Sequence, residues 1–314
     1  MRYSVIDCHC DTASKALDEN TGFFNNDLQV DLGKISFEYT QFFAAFIAPE
    51  YNGVALDRTL GIIKKTKKEI SRNPDRMVLC RDYNDYCENK GKIKAFLSLE
   101  GAEAITSMEV LEMLYDEGIR LATLTWNYSN HLAGGVLGEG GLSAFGKKVV
   151  RKMNESGIIV DVSHLNDESF WDVMEVSKKT VIASHSNSRT VCNNKRNLTD
   201  EQFFAIKKNG GVVGINLYPL FLSGEKTAEI SDIIKHIEYF LSLGGENNIS
   251  LGADFDGIDV MPQNMEGAWD IYKLFDEMLR LGYGEKIINK LSCTNMERIL
   301  QENLCKNSKI ILND

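Results

Sequence analysis

The sequence is poor in proline, with 4 in 314 residues, and its 7 cysteines contain no CxxC pair. An odd number of scattered thiols (Cys8, Cys10, Cys80, Cys87, Cys192, Cys293 and Cys305) argues against a disulfide framework and for reduced cysteines in a cytosolic protein. No window approaches the roughly 18 uninterrupted apolar residues of a membrane helix. The N-terminus, MRYSVIDCHCDT, lacks a basic segment followed by an apolar run and a cleavage site. A cytoplasmic protein without membrane association is therefore expected. Positive charge is in deficit: 35 Lys and Arg against 45 Asp and Glu leave a formal charge of -10, which repels phosphate backbones and disfavours a nucleic-acid partner. Linkers, repeats and low-complexity stretches are also missing, so residues 1–314 read as one domain.

What is present is an apolar fraction of 43%, enough for a sizeable core, laid out in a recurrent order. Eight short β-rich runs recur: YSVID (3–7), TQFFAAFIA (40–48), IKAFLSL (93–99), RLATLT (120–125), GIIVDV (157–162), TVIA (180–183), GVVGINL (211–217) and ISLGA (249–253). Several lack strict alternation, as strands covered on both faces do. Between them, residues 58–73, 104–116, 144–155, 168–178, 201–208 and 228–243 carry apolar residues at three- and four-residue intervals and read as crossover helices. Asn166-Asp167 and Thr199-Asp200 supply N-cap oxygens, and Gly157 and Gly210-Gly211 supply C-caps. Residues 269–280, 286–291 and 294–302 would close the chain. Eight strands alternating with helices predict an α/β fold of the (β/α)8 TIM-barrel type. The glycines at 134–135 and 138–141 do not directly follow a strand, so they read as a loop beside the site rather than a phosphate cradle.

The unusual polar residues gather at the carboxyl ends of these strands, where such barrels build their sites. His9 and Asp11 follow the first, Glu100 the third, His164 the fifth, His185 the sixth and Asp254 the eighth. His9 and Asp11, two apart on an extended backbone, project to one side and reach one ion. An acid closing so apolar a strand as IKAFLSLE must be paired, metal-bound or solvated, and the Glu100 carboxylate can bridge two cations. Imidazoles and carboxylates together suit zinc best, with manganese or iron tolerated. Asp254 is the preferred proton acceptor, because Asp256-Gly257 fits an Asp-Gly turn better. Asp161 orients a histidine or caps its strand. Arg196 is a candidate clamp for a substrate carboxylate, with the neighbouring Lys195 solvated. His131 lies in a loop able to approach the site, and His236, mid-helix, reads as a surface residue. Cys8 and Cys10, opposite His9 and Asp11 in strand parity, are expected to pack against the surrounding helices.

The blocks DCHCDT, LSLEGAEAI, LATLTWN, GLSAFGKKVVRKMNESGIIVDVSH, VIASHSNSRTVCNNKRNLTDEQ and LGADFDG together resemble, in order and across nearly the whole chain, the renal or membrane dipeptidase family of zinc metallopeptidases, within the amidohydrolase superfamily. The resemblance implies a (β/α)8 barrel with two zinc ions that hydrolyses dipeptides, often with a D-residue at the C-terminal position, by a hydroxide held between the ions. By position, His9, Asp11 and Glu100 match the first zinc's ligands, and Glu100, His164 and His185 the second's. Arg196 matches the carboxylate-binding arginine, Asp254 the catalytic aspartate and Tyr218 a pocket tyrosine. A homodimer is a further family expectation. Trp126 stands where mammalian members carry a substrate-contacting histidine; Asn127 or His131 would have to replace that donor, or Trp126 narrows the pocket. The alternatives are another reaction of the superfamily, on a lactone, cyclic amide or phosphoester, and a metal-binding homologue without turnover.

Overall fold

The computed structural model describes residues 3–305. Nine strands appear in chain order: β1 (Val5–Cys10), β2 (Tyr39–Phe46), β3 (Met77–Leu79), β4 (Ile93–Glu100), β5 (Ile119–Thr123), β6 (Ile159–Asp161), β7 (Val181–Ile182), β8 (Val213–Ile215) and β9 (Ile249–Leu251). All except β3 form a parallel barrel in the order β1-β2-β4-β5-β6-β7-β8-β9, with β9 returning to β1. The β7–β8 seam is closed by Ala183, whose N–H donates to Val212 C=O at 3.0 Å and whose C=O accepts from Gly214 N–H at 2.8 Å. The fold is the expected (β/α)8 barrel of TIM type.

The ninth strand, β3, was not expected. It pairs with the first half of β4 (Met77↔Ile93 to Leu79↔Ala95), and β5 takes over along the second half (Leu97↔Ile119 to Glu100↔Thr123). Since β2 pairs with β4 from Thr40↔Lys94 to Phe46↔Glu100, β3 and β5 divide the other edge between them.

The six crossover helices form as Ala55–Arg72, Met108–Glu117, Ala144–Ser156, Asp167–Val176, Asp200–Lys208 and Ile230–Ser242. Their ends follow local chemistry. Asn166 Oδ1 accepts from Ser169 N–H at 2.8 Å, Thr199 and Gln202 cap each other reciprocally, and Gly157 takes φ 83° to end its helix. Inside the barrel, Ile6, Cys8, Phe42, Phe96, Leu121, Ile159, Ile182 and Val212 form one apolar cluster with Met296, Ile299 and Leu300. Helix Asn295–Leu304 therefore plugs the amino end of the barrel, leaving the carboxyl end for chemistry. A second apolar cluster lies between strands and outer helices. No helix among the described residues is long and apolar enough to cross a membrane.

Two sequence expectations fail here. Cys10 packs on the helix side as expected, but Cys8 lies inside the barrel, its Sγ 3.7 Å from Ser250 Oγ. The cause is a slip in β1: Asp7 pairs with Gln41 and Cys10 with Phe43, so one extra residue is accommodated and strand parity inverts between Cys8 and Cys10. His236 is fully buried rather than exposed. Its Nδ1 accepts from Ser188 N–H at 3.1 Å and its Nε2 donates to Leu222 C=O at 2.9 Å, tying its helix to two loops.

Candidate metal centre and substrate cavity

The barrel brings His9, Asp11, Glu100, His164, His185 and Asp254 into one buried cluster. Glu100, the last residue of β4, sits at its centre: Oε2 lies 3.3 Å from His9 Nε2, and Oε1 lies 2.9 Å from His164 Nε2 and 3.7 Å from His185 Nε2. Its two oxygens thus face different imidazoles, the geometry of a bridging carboxylate. His9 Nε2 is also 3.7 Å from Asp11 Oδ2 and 3.7 Å from Asp254 Oδ1. The residues His9, Glu100 and His185, and again His9, Asp11 and Asp254, each offer donor atoms within 4.8 Å of one another.

The hydrogen bonds behind the cluster fix which atoms point inward. His164 Nδ1 meets Asn127 Oδ1 at 2.8 Å, and His185 Nδ1 meets Ser184 Oγ at 2.7 Å, while the Ser184 hydroxyl donates to Asp161 Oδ2. Each Nδ1 is therefore the protonated nitrogen, leaving both Nε2 lone pairs turned inward, 2.8 Å apart and toward the same Glu100 oxygen. A convergence made only of acceptors is repulsive until a cation occupies it. Both ring nitrogens of His9, Oδ1 of Asp11 and Oε2 of Glu100 are buried with no hydrogen-bond partner. The donor set fits a divalent metal of the zinc type.

Burial sets the protonation tendencies. It holds His164 and His185 well below the usual histidine pKa, helped by the positive charges around them, so both stay neutral and able to ligate. Burial also resists charge on His9, but Glu100 and Asp11 outweigh it and raise its pKa well above the usual value. Glu100 is pushed up to about 8, by burial first and the Asp11 charge second, against the opposing pull of His9. Asp254 rises to about 6, by burial with Asp11 adding, while His9, Asn216 and Arg196 pull it down.

Asp254 and Asp256 separate cleanly. Asn216 Nδ2 donates to Asp254 Oδ2 at 2.8 Å, leaving Oδ1 free to face the cluster. Both oxygens of Asp256 are committed, Oδ2 to the Thr12 hydroxyl at 2.6 Å and Oδ1 to Gln29 N–H at 2.8 Å. His164 and Asp254 hold φ of 68° and 65°, left-handed values that a non-glycine residue adopts at a cost of about 1 kcal/mol or more and that here turn the side chains into the site. Gly257 is required for a different reason: a Cβ there would lie 2.3 Å from Asp11 Oδ2 and 2.4 Å from Asp254 Oδ1.

The cluster opens into a cavity of about 550 Å³. Arg196, Trp126 and Tyr218 all line it. Arg196 is buried over the Phe221 ring at 5.4 Å, with Nη2 donating to His185 C=O at 3.3 Å and Nε unpartnered. Among the described residues no carboxylate reaches ion-pair distance of Arg196; Asp254, Glu100 and Asp161 act on its buried guanidinium only at longer range, which leaves room for a closer anion from the cavity. Trp126 stands against Phe46 (5.4 Å between centroids) and beside His164 (6.3 Å). Tyr218 packs edge-on to Phe221 at 5.0 Å, near Asp259. His131 does not reach the site; its Nε2 is 2.8 Å from Ile105 C=O and its ring stacks on Phe145. Asn127 does line the cavity, but its carbonyl oxygen is taken by His164. The supporting roles of Ser184, Asn216 and Gly257 have no spacing signature in the sequence and emerge only from the folded geometry.

Comparison with known proteins adds a family. Residues 1–310 match the model described as membrane dipeptidase, peptidase family M19. An uncharacterized protein from the pqqA 5′ region of Klebsiella pneumoniae is 31% identical over 250 residues, 75% of this chain and 92% of that protein. An uncharacterized dipeptidase of Schizosaccharomyces pombe is 34% identical over 279 residues, covering 81% of this chain and 64% of the longer yeast protein. Among solved structures, a family M19 metallopeptidase, dipeptidase AC, superposes with a TM-score of 0.92 at 25% identity over 97% of this chain and 99% of its own. A Rhodobacter sphaeroides metallopeptidase, liganded with a phosphinate mimic of the dipeptide L-Ala-D-Ala, superposes with a TM-score of 0.90 at 24% identity over 96% of this chain and 100% of its own.

Proposed function

This chain belongs to the membrane dipeptidase family, peptidase family M19, and is a metallopeptidase of the dipeptidase class; on that premise we propose that it uses two zinc ions to hydrolyse small dipeptides, including those with a D-residue at the C-terminal position. The observation that carries the reading is the inward convergence of the His164 and His185 Nε2 atoms on Glu100 beside the unpaired Arg196. His9, Asp11 and Glu100 would hold one ion, and Glu100, His164 and His185 the other. Bound there, the pair supplies Lewis acidity for the scissile carbonyl and an acidified water.

The remaining steps belong to the chain itself. Arg196 takes the substrate's free carboxylate in two parallel hydrogen bonds, which removes its unpaired charge and fixes the peptide bond for attack. Asp254, held through Oδ2 by Asn216, accepts the nucleophile's proton on Oδ1 and returns it to the departing amine. Trp126 with Phe46 forms one side-chain wall, and Tyr218 with Phe221 the other. The D-residue preference draws support from the L-Ala-D-Ala mimic bound by the Rhodobacter protein.

Two measurements test this. Metal analysis of purified protein together with a dipeptide library containing L,L and L,D pairs should find two zinc equivalents and hydrolysis that chelation abolishes and zinc restores. Two bound ions with no dipeptide cleaved would sink the proposal. Arg196→Ala should lower kcat/KM for free-carboxylate dipeptides by roughly 30- to 160-fold, the loss of a charge-assisted pair of about 2–3 kcal/mol. C-terminal amides, already lacking that partner, should change less than threefold. Equal losses for acid and amide would remove Arg196 from carboxylate binding.

A further inference from the structure

Asp7 is fully buried in β1, two residues before His9, and has no place in the chemistry above. Its Oδ1 accepts two backbone N–H groups, from His9 at 3.1 Å and from Ala253 at 3.0 Å. These amides belong to a cluster residue and to the residue immediately before Asp254. The contact sits where ordinary pairing gives out. The β1–β2 register slips between Asp7 and Cys10, and β1 meets β9 through the single pair Asp7↔Leu251. Beyond it, among the described residues, the strand ends meet at the isolated bridge Cys10↔Phe255, with Asp254 N–H donating to His9 C=O at 3.3 Å and Asp11 N–H to Phe255 C=O at 2.8 Å.

The same device recurs at a second seam. Asp161 Oδ1 accepts from Ser163 N–H, two residues on, and from Ser184 N–H across the strand gap, both at 2.9 Å. Those amides immediately precede His164 and His185. In both places one carboxylate oxygen joins two strand ends at, or one residue before, their working side chains. Two buried N–H groups left without acceptors would cost more than the bonds themselves, so the geometry is held firmly.

We propose that Asp7 is a positioning residue, a staple that sets His9 relative to Asp254 and thereby the 3.7 Å gap between His9 Nε2 and Asp254 Oδ1. It touches neither substrate nor metal. The bulge turns His9 toward the barrel axis, and Asp7 makes that turn permanent by satisfying the two amides the bulge strands. This inference rests on the dipeptidase reading, but its test has a readout that needs no turnover.

The experiment uses the full chain loaded with cobalt(II) in place of zinc. Asp7→Ala, which removes the acceptor, should lower kcat by ten- to a hundredfold with KM within threefold of wild type, and should alter the visible cobalt absorption because the His9 position relaxes. Asp7→Asn retains an acceptor oxygen for both amides and should keep kcat within fivefold with an unchanged cobalt spectrum. A folded Asp7→Ala protein with wild-type kcat and spectrum overturns the proposal. So does a folded Asp7→Asn protein that loses a hundredfold or more in kcat, which decides the matter even where Asp7→Ala is not recovered folded. Wild-type protein that binds cobalt but cleaves no dipeptide would refute the dipeptidase reading instead, while the spectra of the variants would still report on the staple.

Discussion

Glu100→Gln is expected to bind one zinc equivalent or fewer and to lose at least about a thousandfold in kcat. Two divalent ions some 3.5–4 Å apart repel each other by on the order of 20 kcal/mol at an effective dielectric constant of ~20, so an anion must lie between them. Glu100 is the carboxylate whose two oxygens face separate imidazoles, at 3.3 Å and 2.9 Å, and glutamine keeps the shape while removing the charge. Losing one ion forfeits several kcal/mol of transition-state stabilisation, and about 1.4 kcal/mol is worth a decade in rate. Metal analysis and steady-state kinetics on the purified variant check both halves. A variant that still holds two ions and keeps a tenth of the wild-type rate would show that Glu100 is not the bridge.

Asp254→Asn should separate chemistry from metal binding. A positioned general base contributes about 10²–10⁴ in rate, and its amide counterpart cannot take a proton, so kcat should fall by that factor. KM should stay within a fewfold, since in the proposed mechanism Arg196 and not Asp254 holds the substrate, and zinc content should remain at the wild-type level. Should the variant lose zinc along with kcat, and regain kcat when zinc is supplied in excess, Asp254 would be a ligand and not a proton carrier, a role consistent with its place 3.7 Å from His9 Nε2. The parallel change Asp256→Asn should leave kcat nearly intact, because that carboxylate is occupied by Thr12 and Gln29.

How much of this was legible in the chain depended on whether the signal was periodic. Crossover helices with apolar residues at three- and four-residue spacing stood out, as did the polar residues that interrupt apolar strand ends at His9, Glu100, His164, His185 and Asp254. β3 escaped notice because Met77–Leu79 covers only half of one edge of β4 and is additional to the eight strands that an alternating strand–helix pattern calls for. Cys8 was misplaced because two-residue alternation holds only in an unbroken strand, and nothing in VIDCHC announces a bulge. His236 was misread although a signal existed: Ile233, His236, Ile237 and Phe240 share the buried face of one helix, and the polar character of the imidazole hid it. Nothing in the linear sequence assigns Asn127, Ser184 and Asn216 the supporting contacts they make: Asn127 stands out only as a candidate substrate donor, and Asn216 only as part of the expected strand 211–217. They acquire roles only through neighbours 37, 1 and 38 positions away.

The donors come from the ends of strands β1, β4, β6, β7 and β9, so during synthesis His9 emerges long before Asp254. A half-made chain has the means to capture a metal weakly but has no complete centre. On the proposed mechanism, hydrolytic competence arrives only with the joining of β9 to β1. On the same reading, products that stop before residue 254 lack the proposed proton acceptor and are expected to be inactive without any inhibitory segment.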